Sequence, residues 1–216
     1  MKDLTKRFLT ESERQRIRET VEAAESQTSG EIVPMVVSTS YHYPMANVLG
    51  GALFGFVAAI VLTPIIGHHF WLGGSNMWVF IGLSAVLFTI FHIIIKRVAW
   101  LKRIFISRKE MEEEVNEAAL TSFYREGLNR TRDKTGILVF ISVLERRVCV
   151  LADEGINKKV HEGQWDEMVA MIIDGIKHKR QAEAVCDAIE KMAALLKEHF
   201  PVREDDRDEL ENLIVK

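Results

Sequence analysis

One long stretch of this chain carries no charge. No Asp, Glu, Lys or Arg occurs from Ile32 to Ile95, although charged residues make up 27% of the 216 positions. Two apolar segments lie inside this stretch, residues 44–66 and 71–95. As helices that rise about 1.5 Å per residue, both would be longer than the roughly 30 Å hydrocarbon core of a bilayer. The sequence therefore predicts a transmembrane hairpin over residues 41–98, with a lipid bilayer as its first partner.

The positions of Lys and Arg around the two spans predict their orientation. The connecting loop from Gly67 to Asn76 contains neither residue, whereas six cations lie from Lys96 to Lys109 before the next acid. The N-terminal region contributes a second group of cations. Because Lys and Arg near span ends are retained on the cytoplasmic side, both termini are expected in the cytoplasm. We expect a multi-pass protein of the inner (cytoplasmic) membrane.

Small residues repeat along one face of the first span. Gly51, Gly55 and Ala59 recur every four positions, a spacing that allows another helix to approach closely. Contact with the second span explains this helix-contact face most simply. The alternative is contact with a second copy of the chain or with another membrane protein. His92 is the one titratable side chain inside the spans, and a lone His near a span end is expected to contact a neighbouring helix.

Charge and cysteine spacing argue against two classes of function. The formal net charge of −3 gives no overall basic field, so no nucleic acid partner is expected. Cys149 and Cys186 lie far apart, without the paired spacing of a metal site. They are expected to be reduced, buried thiols.

Periodic apolar residues predict four helices and three strands outside the spans. The helices are expected at residues 10–28, 107–126, 164–177 and 181–199, and the strands at 31–37, 136–144 and 147–152. Pro34 cannot donate a ladder hydrogen bond, so the first strand is expected at a sheet edge or with a bulge. Residues 96–106 mix cations with apolar residues, as in a segment that lies along the inner membrane surface.

The N-terminal helix and strand cannot bury a core by themselves. Because a hairpin returns the chain to the side it left, the strand at residues 32–37 can join the sheet of residues 137–152. The predicted fold is α/β (α+β): a small mixed sheet flanked by helices, with a two-helix transmembrane hairpin inserted after the first strand. The cytoplasmic domain is then formed by residues 1–40 and 99–201. Residues 202–216 form an acidic tail, expected to be mobile or to form a short helix that ends in Leu213-Ile214-Val215.

Two segments on either side of the hairpin resemble the TPM domain family. They are Ser29–Val37 and the run from Thr135 to Ile156, which includes Asp153-Glu154-Gly155-Ile156. The similarity covers about residues 5–40 and 110–201, and the family includes thylakoid lumen proteins and bacterial membrane-anchored proteins. This chain departs from the common pattern in two ways. A membrane hairpin interrupts the domain, and Thr135-Gly136 stands where Asn-Gly is usual.

The resemblance implies two kinds of function. Some members are described as acid phosphatases that bind a divalent metal, and others serve assembly or repair of membrane complexes. The acids that could gather near the strand ends are Glu31, Asp133, Asp153 and Glu154. Several such oxygens suit calcium or magnesium. Since no phosphate loop or nucleophile motif is present, we expect an accessory or interaction module at the cytoplasmic face of the membrane. A weak divalent-metal-dependent acid phosphatase is the alternative.

Overall fold

A computed structural model of the chain describes residues 4–70, 76–202 and 210–216. The described residues form two compact units. One consists of residues 42–111, and the other combines residues up to 41 with residues 112–216. The helices are α1 Leu4–Phe8, α2 Glu11–Glu25, α3 Pro44–His69, α4 Asn76–Arg97, α5 Ala99–Ile104, α6 Arg108–Arg125, α7 Glu154–Asn157, α8 Glu162–Lys177 and α9 Gln181–His199.

The second unit is built on a four-stranded mixed sheet in the order β3-β2-β1-β4. Its strands are β1 Glu31–Val37, β2 Gly136–Ser142, β3 Arg147–Ala152 and β4 Ile214–Val215. β1 runs parallel to both β2 and β4, and β3 pairs with β2 in the antiparallel direction. The expected pairing of β1 with β2 is thus confirmed. Sequence segments separated by the whole inserted hairpin share one sheet.

The sheet is covered by helices on both faces, because its two central strands are apolar at every or nearly every position. In β2, Ile137, Val139 and Ile141 belong to a core shared with α2, α8 and α9. Leu138 and Phe140 point to the opposite face, where α6 contributes the core side chains. All seven residues of β2 are buried, as expected for a central strand. The mixed α/β class and the flanking helices are confirmed.

The chain after residue 201 corrects two expectations. Leu213-Ile214-Val215 does not end a helix: Ile214 and Val215 form β4, which pairs with Met35 and Val36 of β1. The second expectation was that β1 lies at a sheet edge or contains a bulge. Because β4 pairs with it, β1 is an internal strand at its C-terminal end. Pro34 precedes the two residues that β4 pairs, so the missing amide hydrogen of Pro34 is compatible with this position. Residues 203–209 of the predicted tail lie outside the described residues.

The first unit is dominated by the pair α3 and α4. At 26 and 22 residues, these helices extend about 39 Å and 33 Å, and both are long and apolar enough to cross a membrane by length and composition. A Cβ atom added to Gly55 would lie 2.8 Å from the backbone of Phe88, and one added to Gly51 would lie 3.2 Å from that of His92. The small-residue face of α3, in which Ala59 is buried too, thus lies against an antiparallel α4. Residues 71–75, at the start of the predicted second span, lie outside the described residues.

Candidate functional site

The strand register brings the four predicted metal-binding acids to one end of the sheet. Glu31 begins β1, opposite Gly136, which begins β2. Asp133 lies three positions before the start of β2, and the carbonyl of Thr135, two positions further on, accepts a hydrogen bond from the backbone N–H of Glu31 at 3.1 Å. Asp153 and Glu154 follow β3, and the N–H of Asp153 donates to the carbonyl of Gly136 at 2.9 Å. The topology therefore places these residues at the same end of the sheet.

Glu154 is exposed and held by two cations. Its carboxylate lies 3.2 Å from the ammonium of Lys134 and 2.7 Å from that of Lys158. Hydrogen bonds from Lys158 and Lys134 lower the pKa of this carboxyl below its ordinary value. Both oxygen atoms of Glu154 are thus engaged by ammonium groups.

Asp153 caps the four-residue helix α7. Its Oδ1 atom accepts a hydrogen bond from the backbone N–H of Glu154 at 2.7 Å. Its Oδ2 atom is buried and has no hydrogen-bond partner among the described residues. The turn is tight because Gly155 has no side chain: a Cβ atom there would lie 2.6 Å from the carbonyl oxygens of Asp133 and Lys134. Gly155 thereby lets the loop before β2 pack on the turn after β3.

These acids do not make a coordination set for a hard cation. Within residues 4–70, 76–202 and 210–216, no group of three or more His, Cys, Asp or Glu side chains is arranged to hold a metal ion. Calcium takes six to eight oxygen ligands, and magnesium needs an octahedral arrangement. One unpartnered oxygen of Asp153 and a Glu154 carboxylate already bound by two lysines fall short of either. The residues present therefore do not fit the implied metal.

A polar groove lies at the opposite end of the sheet. It has a volume of about 640 Å³ and sits where the parallel strands β1 and β4 end. In open α/β sheets, ligands bind outside the carboxyl ends of the strands. Its walls include hydroxyl, carboxylate and cationic side chains over an apolar floor of Val37, Ala118 and Phe140. The polar lining residues are Ser38, Thr39, Ser40, Tyr41, Glu114, Glu117, Thr121, Ser122, Arg125 and Lys216.

A buried carboxylate supports one wall of the groove. Glu145 is 1% exposed and accepts hydrogen bonds from the hydroxyl of Thr39 at 3.1 Å and the backbone N–H of Ser40 at 3.0 Å. The hydroxyl of Ser142 donates to its other oxygen. From the sequence alone, Glu145 is interpreted only as a polar residue in the turn between β2 and β3. The spacing of Ser142 and Glu145, three positions apart at a strand end, is the one signal that could have pointed to this network.

The C-terminal residue lines the groove on another side. The ammonium of Lys216 lies 2.7 Å from the carboxylate of Glu126, which also accepts from Nε of Arg125 at 2.8 Å. Burial raises the pKa of the Glu126 carboxyl, but hydrogen bonds and charge from Lys216 and Arg125 outweigh it and hold this pKa below the ordinary value. The cations on this side of the groove are therefore partly neutralised.

Comparison with known proteins bears on residues 98–195. They match the family model of the TPM domain. This part of the chain, slightly less than half of it, is similar to the TPM domain. The match takes in both strands of the β2–β3 hairpin and most of the surrounding helices. It does not reach β1, which joins the same sheet from the other side of the inserted α3 and α4.

A solved structure has a similar fold. The NMR structure of the BA42 protein from the psychrophilic bacterium Bizionia argentinensis aligns with a TM-score of 0.60 over 100% of both chains. The two sequences are 21% identical. At that identity the likeness shows the fold alone. No curated protein matches the chain.

Proposed function

We propose that this protein is a membrane-anchored accessory module. The α3–α4 hairpin anchors the TPM-like domain to the inner membrane, and the domain contacts partner proteins at the cytoplasmic face. The observation that carries this proposal is the exposure of apolar side chains on both long helices.

The exposure of α3 and α4 separates them from the core helices of a soluble domain. In the most apolar 18-residue stretch of each helix, only 22% of the α3 stretch and 11% of the α4 stretch is buried. Large side chains such as Ile60 and Trp78 are turned away from the rest of the protein. Water would solvate this surface poorly, whereas the hydrocarbon core of a bilayer matches it.

The arrangement of cations supports the cytoplasmic placement. Lys96 and Arg97 end α4, and further cations follow to Lys109, whereas the last turn of α3 contains His68 and His69 but no Lys or Arg. The positive-inside rule then places both ends of the hairpin in the cytoplasm. The domain formed before and after the hairpin would fold on that side.

The domain offers a surface for a partner. The polar groove, rather than the acid end of the sheet, has the volume and the mixed hydroxyl, carboxylate and cationic lining that suit a polar peptide segment. Its position at the carboxyl ends of the parallel strands follows the general rule for ligand sites in such sheets. We therefore place partner contact at this groove.

The topology test uses single exposed cysteines in living cells. We expect a membrane-impermeant thiol reagent to label His69→Cys in intact cells, and to label Ser12→Cys and Asn116→Cys only after lysis. The unsubstituted chain, with Cys149 and Cys186, gives the background. Release of the protein from membranes by alkaline washing would contradict the anchor. Opposite accessibility of positions 12 and 116 would contradict the shared cytoplasmic side.

Phosphoester hydrolysis is the second candidate, favoured by the buried, unpartnered Oδ2 of Asp153 and by the name TPM phosphatase that the matched family model carries. If the chain has this activity, Asp153→Asn should abolish release of phosphate from para-nitrophenyl phosphate. The matched control is Asp166→Asn, at an exposed position of α8. Absence of phosphate release by the unsubstituted chain would dismiss this candidate.

A further inference from the structure

The short helix α5 leaves the membrane hairpin in a new direction. α4 ends at Arg97, and Val98 has an extended backbone with φ −103° and ψ 99°. The chain therefore bends at Val98 before α5 begins at Ala99. A segment that merely continued the span would have kept helical angles at this position.

One face of α5 contacts the residues that directly precede α3. Lys102 is 4% exposed, and its ammonium donates a hydrogen bond to the carbonyl of His42 and lies 5.8 Å from the centre of the Tyr43 ring. Directly after α5, the ring of Phe105 meets that of Phe54 edge-on, with centroids 5.8 Å apart. These contacts fix the rotation of α5 about its own axis.

The opposite face of α5 carries two large exposed apolar side chains. Trp100 is 67% exposed and Ile104 is 65% exposed. They are four positions apart, so they lie on the same side of the helix. Trp is the side chain that favours the boundary between headgroups and acyl chains, since its ring is apolar and its N–H is polar.

The charge around this apolar face has a single sign. The segment from Lys96 to Lys109 contains six cations and no acid, and the side chains of Lys96, Arg97 and Arg108 are exposed. A basic segment with an apolar face lies in the membrane interface and is attracted to anionic lipids. A neutral or cationic protein surface would not complement this charge.

We propose that α5 is an interfacial helix that inserts Trp100 and Ile104 among the lipids and selects anionic headgroups through the flanking cations. The proposal rests on the membrane anchoring proposed above. It adds a lipid class to that anchor. It also gives the exposed face of α5 a defined occupant, the anionic surface of the inner leaflet.

The test places the full chain in nanodiscs that contain lipids brominated near the headgroup end of the acyl chain. One set is phosphatidylcholine alone, and the other adds phosphatidylglycerol. The signal of Trp100 is the difference in fluorescence between the unsubstituted chain and Trp100→Phe. The signal of Trp78, obtained in the same way from Trp78→Phe, reports whether α4 lies inside the bilayer. We expect both signals to be quenched by the brominated lipid, with quenching of Trp100 stronger in the anionic discs.

Charge variants test the headgroup selection. Replacing Lys96, Arg97 and Arg108 together by Gln should remove the difference between the two lipid sets at Trp100. Replacing Lys177, Lys179 and Lys191 by Gln, in and beside α8 and α9, makes the same change in charge and should preserve this difference.

The interfacial helix would be overturned if Trp100 were quenched only by aqueous iodide while Trp78 was quenched by lipid. That result would leave the membrane anchor standing. Equal quenching of Trp100 in both lipid sets would overturn the anionic selectivity, and an unquenched Trp78 would overturn the anchor and this proposal together.

Discussion

The hydroxyl of Thr39 donates a hydrogen bond of 3.1 Å to the carboxylate of Glu145, 106 positions further along the chain. This contact joins the exit of β1 to the turn between β2 and β3. With the N–H of Ser40 and the hydroxyl of Ser142 as further donors, the buried carboxylate holds the last residues before the inserted hairpin to the sheet. Closure of the split domain therefore depends on a polar network as well as on strand pairing.

Removal of the Glu145 carboxylate should loosen this end of the domain. Glu145→Ala leaves buried donors without an acceptor, and we expect a loss of about 1–3 kcal/mol in the free energy of unfolding. Urea unfolding of the full chain in mild detergent measures the loss, and hydrogen exchange at the Ser40 amide locates it. Glu145→Gln keeps one acceptor oxygen and should lose less. Unchanged protection of Ser40 in Glu145→Ala would contradict the role assigned to this network.

The two-residue strand β4 should contribute to stability out of proportion to its length. Ile214 is buried in the core beside α6, and the N–H of Lys216 donates to the carbonyl of Val36 at 2.9 Å. Ile214→Ala is expected to lower the free energy of unfolding by about 2 kcal/mol, at the low end for a buried Ile because the strand lies at the sheet edge. Val202→Ala, at an exposed position, should change it little. Equal stability of the two variants, measured by urea unfolding, would show that β4 does not add to the core.

Two glycines offer a matched test of helix packing in the hairpin. A methyl group at Gly55 would lie 2.8 Å from the backbone of Phe88, which cannot move as a side chain can, so Gly55→Ala should push α3 and α4 apart. Gly82 has no neighbouring atom within 4 Å of the same added group. Gly82→Ala should therefore be neutral or stabilise α4 through its helix propensity. Thermal denaturation of the full chain in detergent should show a lower midpoint for Gly55→Ala only; a similar shift in both variants would contradict close packing at Gly55.

Local pattern predicted most of the elements, and long-range contact decided the rest. α9 was predicted from Gln181 to His199 because its apolar residues follow the helical period, and the structure has the same limits. β4 was missed because two residues carry no period, and its pairing with β1 depends on the folded sheet. The same holds for the candidate site. Strand order could place Glu154 near the sheet end, but its two ion pairs depend on where Lys134 and Lys158 lie after folding.

The ion pairs of Glu126 predict how acid affects stability. Because Lys216 and Arg125 hold its pKa below the ordinary value of about 4.3, Glu126 binds protons less readily when folded than when unfolded. Its contribution to stability is therefore present above about pH 4.3 and is lost as the pH falls through the lower, folded pKa.

Glu126→Gln should be less stable than the unsubstituted chain at pH 7. Because the ion pair is partly exposed, we expect the free energy of unfolding to fall by no more than about 1 kcal/mol. The difference between the two chains should shrink below pH 4. Urea unfolding at a series of pH values measures this, with the exposed Glu117→Gln on α6 as the control. A difference that stayed constant down to pH 3 would mean that packing of the side chain, rather than its charge, stabilises this corner of the domain.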